Sequence, residues 1–150
     1  DVDEKNGAMW IIKKSHQINQ KIRGAGILFP DYSSNVQKLR SYMSSFKMEA
    51  GEALIFYHST IHGSPQNQSS NPRKSIQTTL LPLEVDKQVY FQKNENAPLE
   101  IHHPKDDFSF YYNNIREDST LLPPTDKPTK TIDDFKFKNV SFSDVIDAIV

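Results

Sequence analysis

The 150 residues carry eighteen basic and nineteen acidic side chains, a formal charge of -1, and no cysteine. A disulfide scaffold, a thiolate metal site and a cysteine nucleophile are thereby excluded. The near-neutral balance, with Lys13-Lys14, Arg73-Lys74 and Lys136/Lys138 scattered along the chain, gives no reason to expect nucleic acid as a partner.

The length suits a single domain, 1–150, with one core. No apolar run approaches the roughly 20 residues that span a bilayer, and the first residues, DVDEKNG, are polar and acidic. The expectation is a soluble, cytoplasmic protein without a membrane partner, whose metal, if it has one, sits on imidazole and carboxylate.

In chain order, Asn6-Gly7 is a favoured pair for a tight turn with positive φ. The apolar run AMWII after it suits a strand. Opening on a turn between strands predicts further strands upstream. Across 34–46 the apolar residues Val36, Leu39, Met43 and Phe46 fall at helical spacing, and Ser34 with Gln37 fits a capping box, which predicts a short amphipathic helix. The run AGEALIFYHSTIHG, 50–63, predicts a strand entered by a Gly51-Glu52 turn, and RKSIQTTLLPL, 73–83, predicts its partner. Between them SPQNQSSNP is dense in residues that favour turns, so the pair reads as a hairpin with a long loop. Further strands are expected at 89–92, 99–103 and 108–112, then a Pro-rich connector at 121–131 and a capped two-turn helix in SFSDVIDAIV. Strands outnumber helices, so the class is mainly β, a sandwich or double sheet.

Strand period two would set Phe56, His58, Thr60 and His62 on one face and Arg73, Ser75, Gln77 and Thr79 on a face of the partner. With the hairpin closed, His62 and Arg73 would look into a shared hollow. Those two types suit a small dicarboxylate lying between them. Two imidazoles and a carboxylate on one face of Fe(II) leave positions open for a chelating keto acid and oxygen. The far carboxylate of that acid needs a planar fork of donors, which arginine supplies and lysine does not. Ser64 or Ser75 could add a hydroxyl donor.

Two blocks resemble the phytanoyl-CoA dioxygenase family. NGAMWIIKKSH, 6–16, is similar to the family's Asn-Gly strand leading to a Ser-His turn, with Lys13-Lys14 where that turn usually carries Pro-Gly. AGEALIFYHSTIHGSPQNQSSNPRKSI, 50–76, is similar to its turn, strand, His-Gly-Ser, asparagine and arginine. The resemblance covers about the first half of the chain. It implies a double-stranded β-helix of jelly-roll or cupin-like type, incomplete here, with one or two short helices. Within it 1–83 would be the family-like core and 84–150 would add C-terminal strands, the Pro-rich connector and a short helix. It implies an oxidoreductase that uses Fe(II) and 2-oxoglutarate to hydroxylate an unactivated carbon of a small-molecule substrate. His62 would be the distal iron ligand, Arg73 the residue on the side carboxylate of 2-oxoglutarate, and Ser64 a neighbour of that co-substrate. The family's remaining ligands, a His-x-Asp/Glu pair, lie upstream of the Asn-Gly turn, and no such triplet occurs in the 150 residues. The expectation is therefore a chain inactive by itself, which self-associates through open sheet edges.

Other readings stand beside this one. HSTIH on a helix could bind zinc, but the glutamate base is missing and the composition suits a strand. HHPKDD, 102–107, reads as a polar surface loop, Asp1 and Asp3 as solvated, and Trp10 and Tyr57 as core packing. Strand rise separates His58 from His62 by roughly 13 Å, too far for one ion, so His58 reads as a packing residue and His16 as a turn residue. A metal-free cupin-like binding or interaction module is the alternative function.

Overall fold

The computed structural model describes residues 1–18, 22, 36–94, 96–104, 124–136 and 141–150. The chain forms two compact units, one of Asp1–Asn19, Asp31–Leu80 and Val140–Val150, the other of Gln20–Pro30 and Leu81–Asn139. The architecture is mainly β, with one antiparallel three-stranded sheet in each unit and few helices.

In the first unit β1 (Met9–Ile11) runs between β2 (Ser44–Phe46) and β3 (His62–Gly63). Met9, Trp10 and Ile11 face Phe46, Ser45 and Ser44 on one side, while Trp10 and Ile11 face Gly63 and His62 on the other. Alternation therefore puts Trp10, Ser45 and Gly63 on one face of the sheet and Ile11, Ser44 and His62 on the opposite face. A 3-10 turn, Ser15–Gln17, follows β1. The short helix α1 (Val36–Arg40) sends the Arg40 guanidinium over the Trp10 ring, 4.9 Å from its centroid.

The core of this unit is Ile12, Leu39 and Val145, with Ile18, Met43, Ile61, Phe142 and Ile149 packed against it. Each of the three buried side chains contributes about 1.5–3 kcal/mol of burial. Val145 comes from α2 (Phe142–Ile149), whose Ser141 accepts from the Asp144 N–H while the Asp144 carboxylate accepts from the Ser141 N–H. This is the capped two-turn helix the sequence predicts.

The Asn-Gly turn is held by its own side chains. Asp3 Oδ1 accepts from the N–H groups of Lys5 and Asn6, Asn6 Oδ1 accepts from the Asp3 N–H, and Gly7 takes φ +91°. Asp3 is thus part of the turn, and Asp1 Oδ1 accepts from the Ala50 N–H at 2.9 Å; both residues are exposed, as expected, while also bonding backbone. Lys14, where the family's turn usually carries glycine, adopts left-handed φ +63°.

Two expectations are corrected in this unit. The helix over 34–46 ends at Arg40, and 44–46 turns into β2, because pairing with β1 outweighs a weak local helical spacing. Its Ser34 cap lies outside the described residues. The hairpin of 50–63 with 73–83 does not form: His62–Gly63 pairs with β1, and 72–80 is exposed and outside any strand. A reverse turn, with the Thr60 N–H donating to the Tyr57 carbonyl, breaks the alternation that would have aligned Phe56, His58 and His62. Tyr57 and His58 are exposed rather than packed in a core.

In the second unit β4 (Val89–Phe91), β5 (Leu99–His102) and β6 (Lys130–Ile132) pair in that order, with Val89, Phe91, Leu99 and Ile101 buried. The β4–β5 connection is fixed by Asn94, whose carbonyl and side-chain oxygens accept from the N–H groups of Ala97 and Asn96. The Pro-rich stretch passes into β6 at Lys130, a strand the sequence reading misses. His102, read as part of a surface loop, is buried, with Nε2 3.0 Å from Glu100 Oε2. Residues 105–107 of that motif and the expected strand at 108–112 lie outside the described residues. Among the described residues no helix is long and apolar enough to cross a membrane.

Candidate functional site

His62 sits at the start of β3, and from Ile61 to Ser70 exposure alternates residue by residue. Ile61, Gly63, Pro65, Asn67 and Ser69 are half-buried, while His62, Ser64, Gln66, Gln68 and Ser70 are exposed. His62 and Ser64 therefore lie on one open face of an extended segment whose other face is covered. The His62 ring packs beside Phe56 with centroids 5.0 Å apart. Its Nδ1 is 2.8 Å from the Thr60 carbonyl oxygen. A carbonyl only accepts, so Nδ1 carries a proton, and the neutral form of the ring that makes this bond has its lone pair on Nε2. This is the form in which an imidazole ligates a metal.

Arg73 is tied to the same face from the far end of the loop. Its Nη1 donates to the Gly7 carbonyl and, at 3.1 Å, to Ser64 Oγ. The Asn-Gly turn closes on the loop from the other side, with the Gln68 N–H donating to the Lys5 carbonyl at 2.9 Å. A Cβ on Gly7 would lie 2.9 Å from the Pro65 carbonyl oxygen and 3.4 Å from Arg73 Nη1. Glycine is thus required there both by its φ and by the close approach. Asn67 shapes the loop: its Oδ1 accepts from the N–H and hydroxyl of Ser69, and its Nδ2 donates to the Asn71 carbonyl.

Of the residues singled out in the sequence, the structure joins Ser64 to Arg73 by a hydrogen bond and sets His62 two residues before Ser64 on the same face. Ser75 lies in the exposed 72–80 segment, outside this hydrogen-bonded group. The expected hollow between strands is instead an open face, because the partner strand that would wall it is unpaired. His16 belongs to the 3-10 turn, as expected, and its ring stacks on Tyr57 at 4.7 Å.

The described residues do not by themselves make an iron site. Among the described residues no three His, Asp or Glu side chains converge, and His62 offers one ligand where a facial triad needs three. For a dicarboxylate the fit is better. Arg73 uses one terminal nitrogen for its anchors, which leaves much of a five-donor fork for an oxyanion.

Sequence reasoning missed Gly7 as the anchor of Arg73 and Ser15 as a support of β3, where Ser15 Oγ accepts from the Ile61 N–H at 2.8 Å. For Gly7 the Asn-Gly pair was a signal of the φ but not of the partner.

The sequence profile of the phytanoyl-CoA dioxygenase family matches residues 1–75, a span that holds Gly7, Ser15, His62, Ser64 and Arg73. The chain belongs to the phytanoyl-CoA dioxygenase family, whose members are dioxygenases that typically use Fe(II) and 2-oxoglutarate. Neither a curated protein nor a solved structure gives a significant match.

Proposed function

We propose that this chain supplies the distal imidazole and the co-substrate clamp of an Fe(II)- and 2-oxoglutarate-dependent oxygenase built on a double-stranded β-helix, which hydroxylates an unactivated carbon of a small organic substrate. The observation that carries the reading is the Gly7–Arg73–Ser64 link beside His62, inside the span that matches the family. His62 is the metal ligand in this reading. Arg73, with Ser64 or Ser75, binds the side carboxylate of 2-oxoglutarate as a charge-assisted fork. No His-x-Asp or His-x-Glu triplet occurs in the sequence, and among the described residues His62 is joined by no second and third ligand, so in this reading the remaining ligands of Fe(II) come from outside these residues.

Turnover by the 150-residue chain alone is therefore expected to be negligible. Anaerobic iron titration followed by a succinate assay tests this, and stoichiometric iron binding with succinate release would overturn it. The alternative reading is a metal-free cupin-like binding or interaction module that keeps the Arg73–Ser64 pair without the iron. Binding of 2-oxoglutarate lost on chelation and restored by Fe(II) in a protein containing a His-x-Asp/Glu pair supports the oxygenase; binding indifferent to metal supports the module.

Self-association follows from the surface of the first unit. Ile76 and Leu80 are 98% and 83% exposed in a segment that belongs to no strand, and Ile55 is 89% exposed. Unpaired backbone bearing exposed apolar side chains recruits other chains. Light scattering is expected to give a mass above that of the monomer, falling towards it in Ile76→Lys/Leu80→Lys. A monomeric wild-type chain at working concentration would count against the idea.

A further inference from the structure

In a regular antiparallel ladder the pair Ile12 and Ile61, next in register after Ile11 and His62, would exchange two backbone hydrogen bonds. Only one is made directly: the Ile12 N–H donates to the Ile61 carbonyl at 3.0 Å. The other is opened by a side chain. The Ile61 N–H donates to Ser15 Oγ at 2.8 Å, and the Ser15 hydroxyl donates to the Ile12 carbonyl at 2.7 Å. Ser15 is fully buried, so neither bond is exchanged with water.

The Ile61 N–H belongs to the same peptide group as the Thr60 carbonyl, and that carbonyl accepts from His62 Nδ1. One peptide plane is therefore gripped at its N–H by Ser15 while its oxygen fixes the imidazole. All donors run in one direction, from His62 Nδ1–H through the Thr60–Ile61 peptide and the Ser15 hydroxyl to the Ile12 carbonyl. Hydrogen bonds so aligned polarise one another and strengthen together.

We propose that Ser15 is a positioning residue for His62: through the Thr60–Ile61 peptide it locks the imidazole in the Nδ1–H tautomer, with Nε2 bare on the open face. The functional meaning of the lock rests on His62 being the metal-binding imidazole of the oxygenase reading; the lock itself is a property of these contacts. Without the Ser15 hydroxyl, the Ile61 N–H is left buried and unpaired or must reach Ile12 directly. Either outcome rotates the peptide and releases the Nδ1–H bond, and the free ring then samples both tautomers. Ser59, whose hydroxyl reaches the His16 carbonyl at 3.4 Å, is a weaker tie between the same two segments.

The test needs no metal. Long-range proton–nitrogen NMR of the labelled chain, at a pH where an ordinary imidazole is neutral, is expected to show His62 with a protonated-type Nδ1 and an unprotonated-type Nε2. In Ser15→Ala both nitrogen shifts are expected to move towards the averaged values of a tautomer mixture, and in Ser15→Thr, which keeps the hydroxyl, to return. Should Ser15→Ala not fold, Ser15→Cys, nearly equal in volume with a weak acceptor, is read instead and is expected to show the mixture. An Nε2–H or mixed His62 in the wild-type chain overturns the proposal, as does an unchanged single tautomer in a folded Ser15→Ala or Ser15→Cys. A locked His62 that contributes nothing to iron binding in a protein with the full ligand set would overturn the oxygenase reading and leave this one standing.

Discussion

Gly7→Ala is expected to destabilise the first unit by roughly 2 kcal/mol or more, since a left-handed alanine alone costs about 1–2 kcal/mol and here the new methyl also meets its neighbours. The φ of +91° is only the first obstacle. The added Cβ would stand 2.9 Å from the Pro65 carbonyl oxygen, a backbone atom that cannot swing aside, and 3.4 Å from Arg73 Nη1. The turn must either lift off the 64–73 loop or distort, and both break the bond from Arg73 to the Gly7 carbonyl. Gly51 provides the internal control. Its φ is +97°, but nothing lies within 4 Å of its would-be Cβ, so Gly51→Ala carries the dihedral cost alone. The chain has one tryptophan, Trp10, paired across the sheet with Gly63, so its fluorescence reports unfolding of this unit directly. Equal midpoints for the two variants in denaturant would show that the close approach at Gly7 does not hold the loop.

Arg73→Lys is expected to weaken 2-oxoglutarate binding about tenfold or more, which corresponds to at least ~1.4 kcal/mol, and to loosen the Asn-Gly turn as well. One arginine nitrogen serves both the Gly7 carbonyl and Ser64 Oγ while the planar group keeps further donors for a carboxylate. Lysine keeps the charge and loses the fork. If its ammonium reaches the Gly7 carbonyl it has no second nitrogen for an anion, and if it turns to the anion the turn is left without its anchor. Ser64→Ala removes only one of the two anchors and is expected to cost less. Calorimetric titration of a protein with the complete metal-ligand set separates the effects, and unaltered affinity in Arg73→Lys would remove Arg73 from the clamp.

Much of the second unit and part of the first could be read from the chain. AMWII, the 89–92 and 99–103 runs and the capped SFSDVIDAIV segment each carry their own local instruction, and they appear as β1, β4, β5 and α2. By contrast β2 and β6 lie where a helix and a Pro-rich connector were expected, and β3 keeps only the last two residues of the strand predicted over 50–63, because their strand character comes from the neighbour they pair with. No period can be counted in SSF or HG. The apolar run before His62 misled in the other direction: Ile55 and Tyr57 are hydrophobic enough to predict a strand, yet they lie exposed, because composition does not say whether a partner is present.

The candidate site was legible as residue types but not as contacts. His62, Ser64 and Arg73 fall close together in sequence and share a face, whereas the Gly7 carbonyl that anchors Arg73 lies 66 residues away. Ser15 was invisible for a different reason: a buried serine that replaces one rung of a ladder looks, in the sequence, like any serine in a turn.

The first unit is closed by α2, whose Val145 completes the core around Ile12 and whose C-terminal cap, Val150, accepts through its carbonyl from Lys14 Nζ, 136 positions earlier. On a ribosome this has a temporal meaning. The stretch bearing His62 and Arg73 emerges long before the helix that seals the layer beneath it, and the second unit can assemble in the interval. Until that helix arrives, Ile12 and Leu39 lack part of their cover, and transiently exposed apolar surface of this kind is prone to aggregation while the chemistry-bearing loop is already outside.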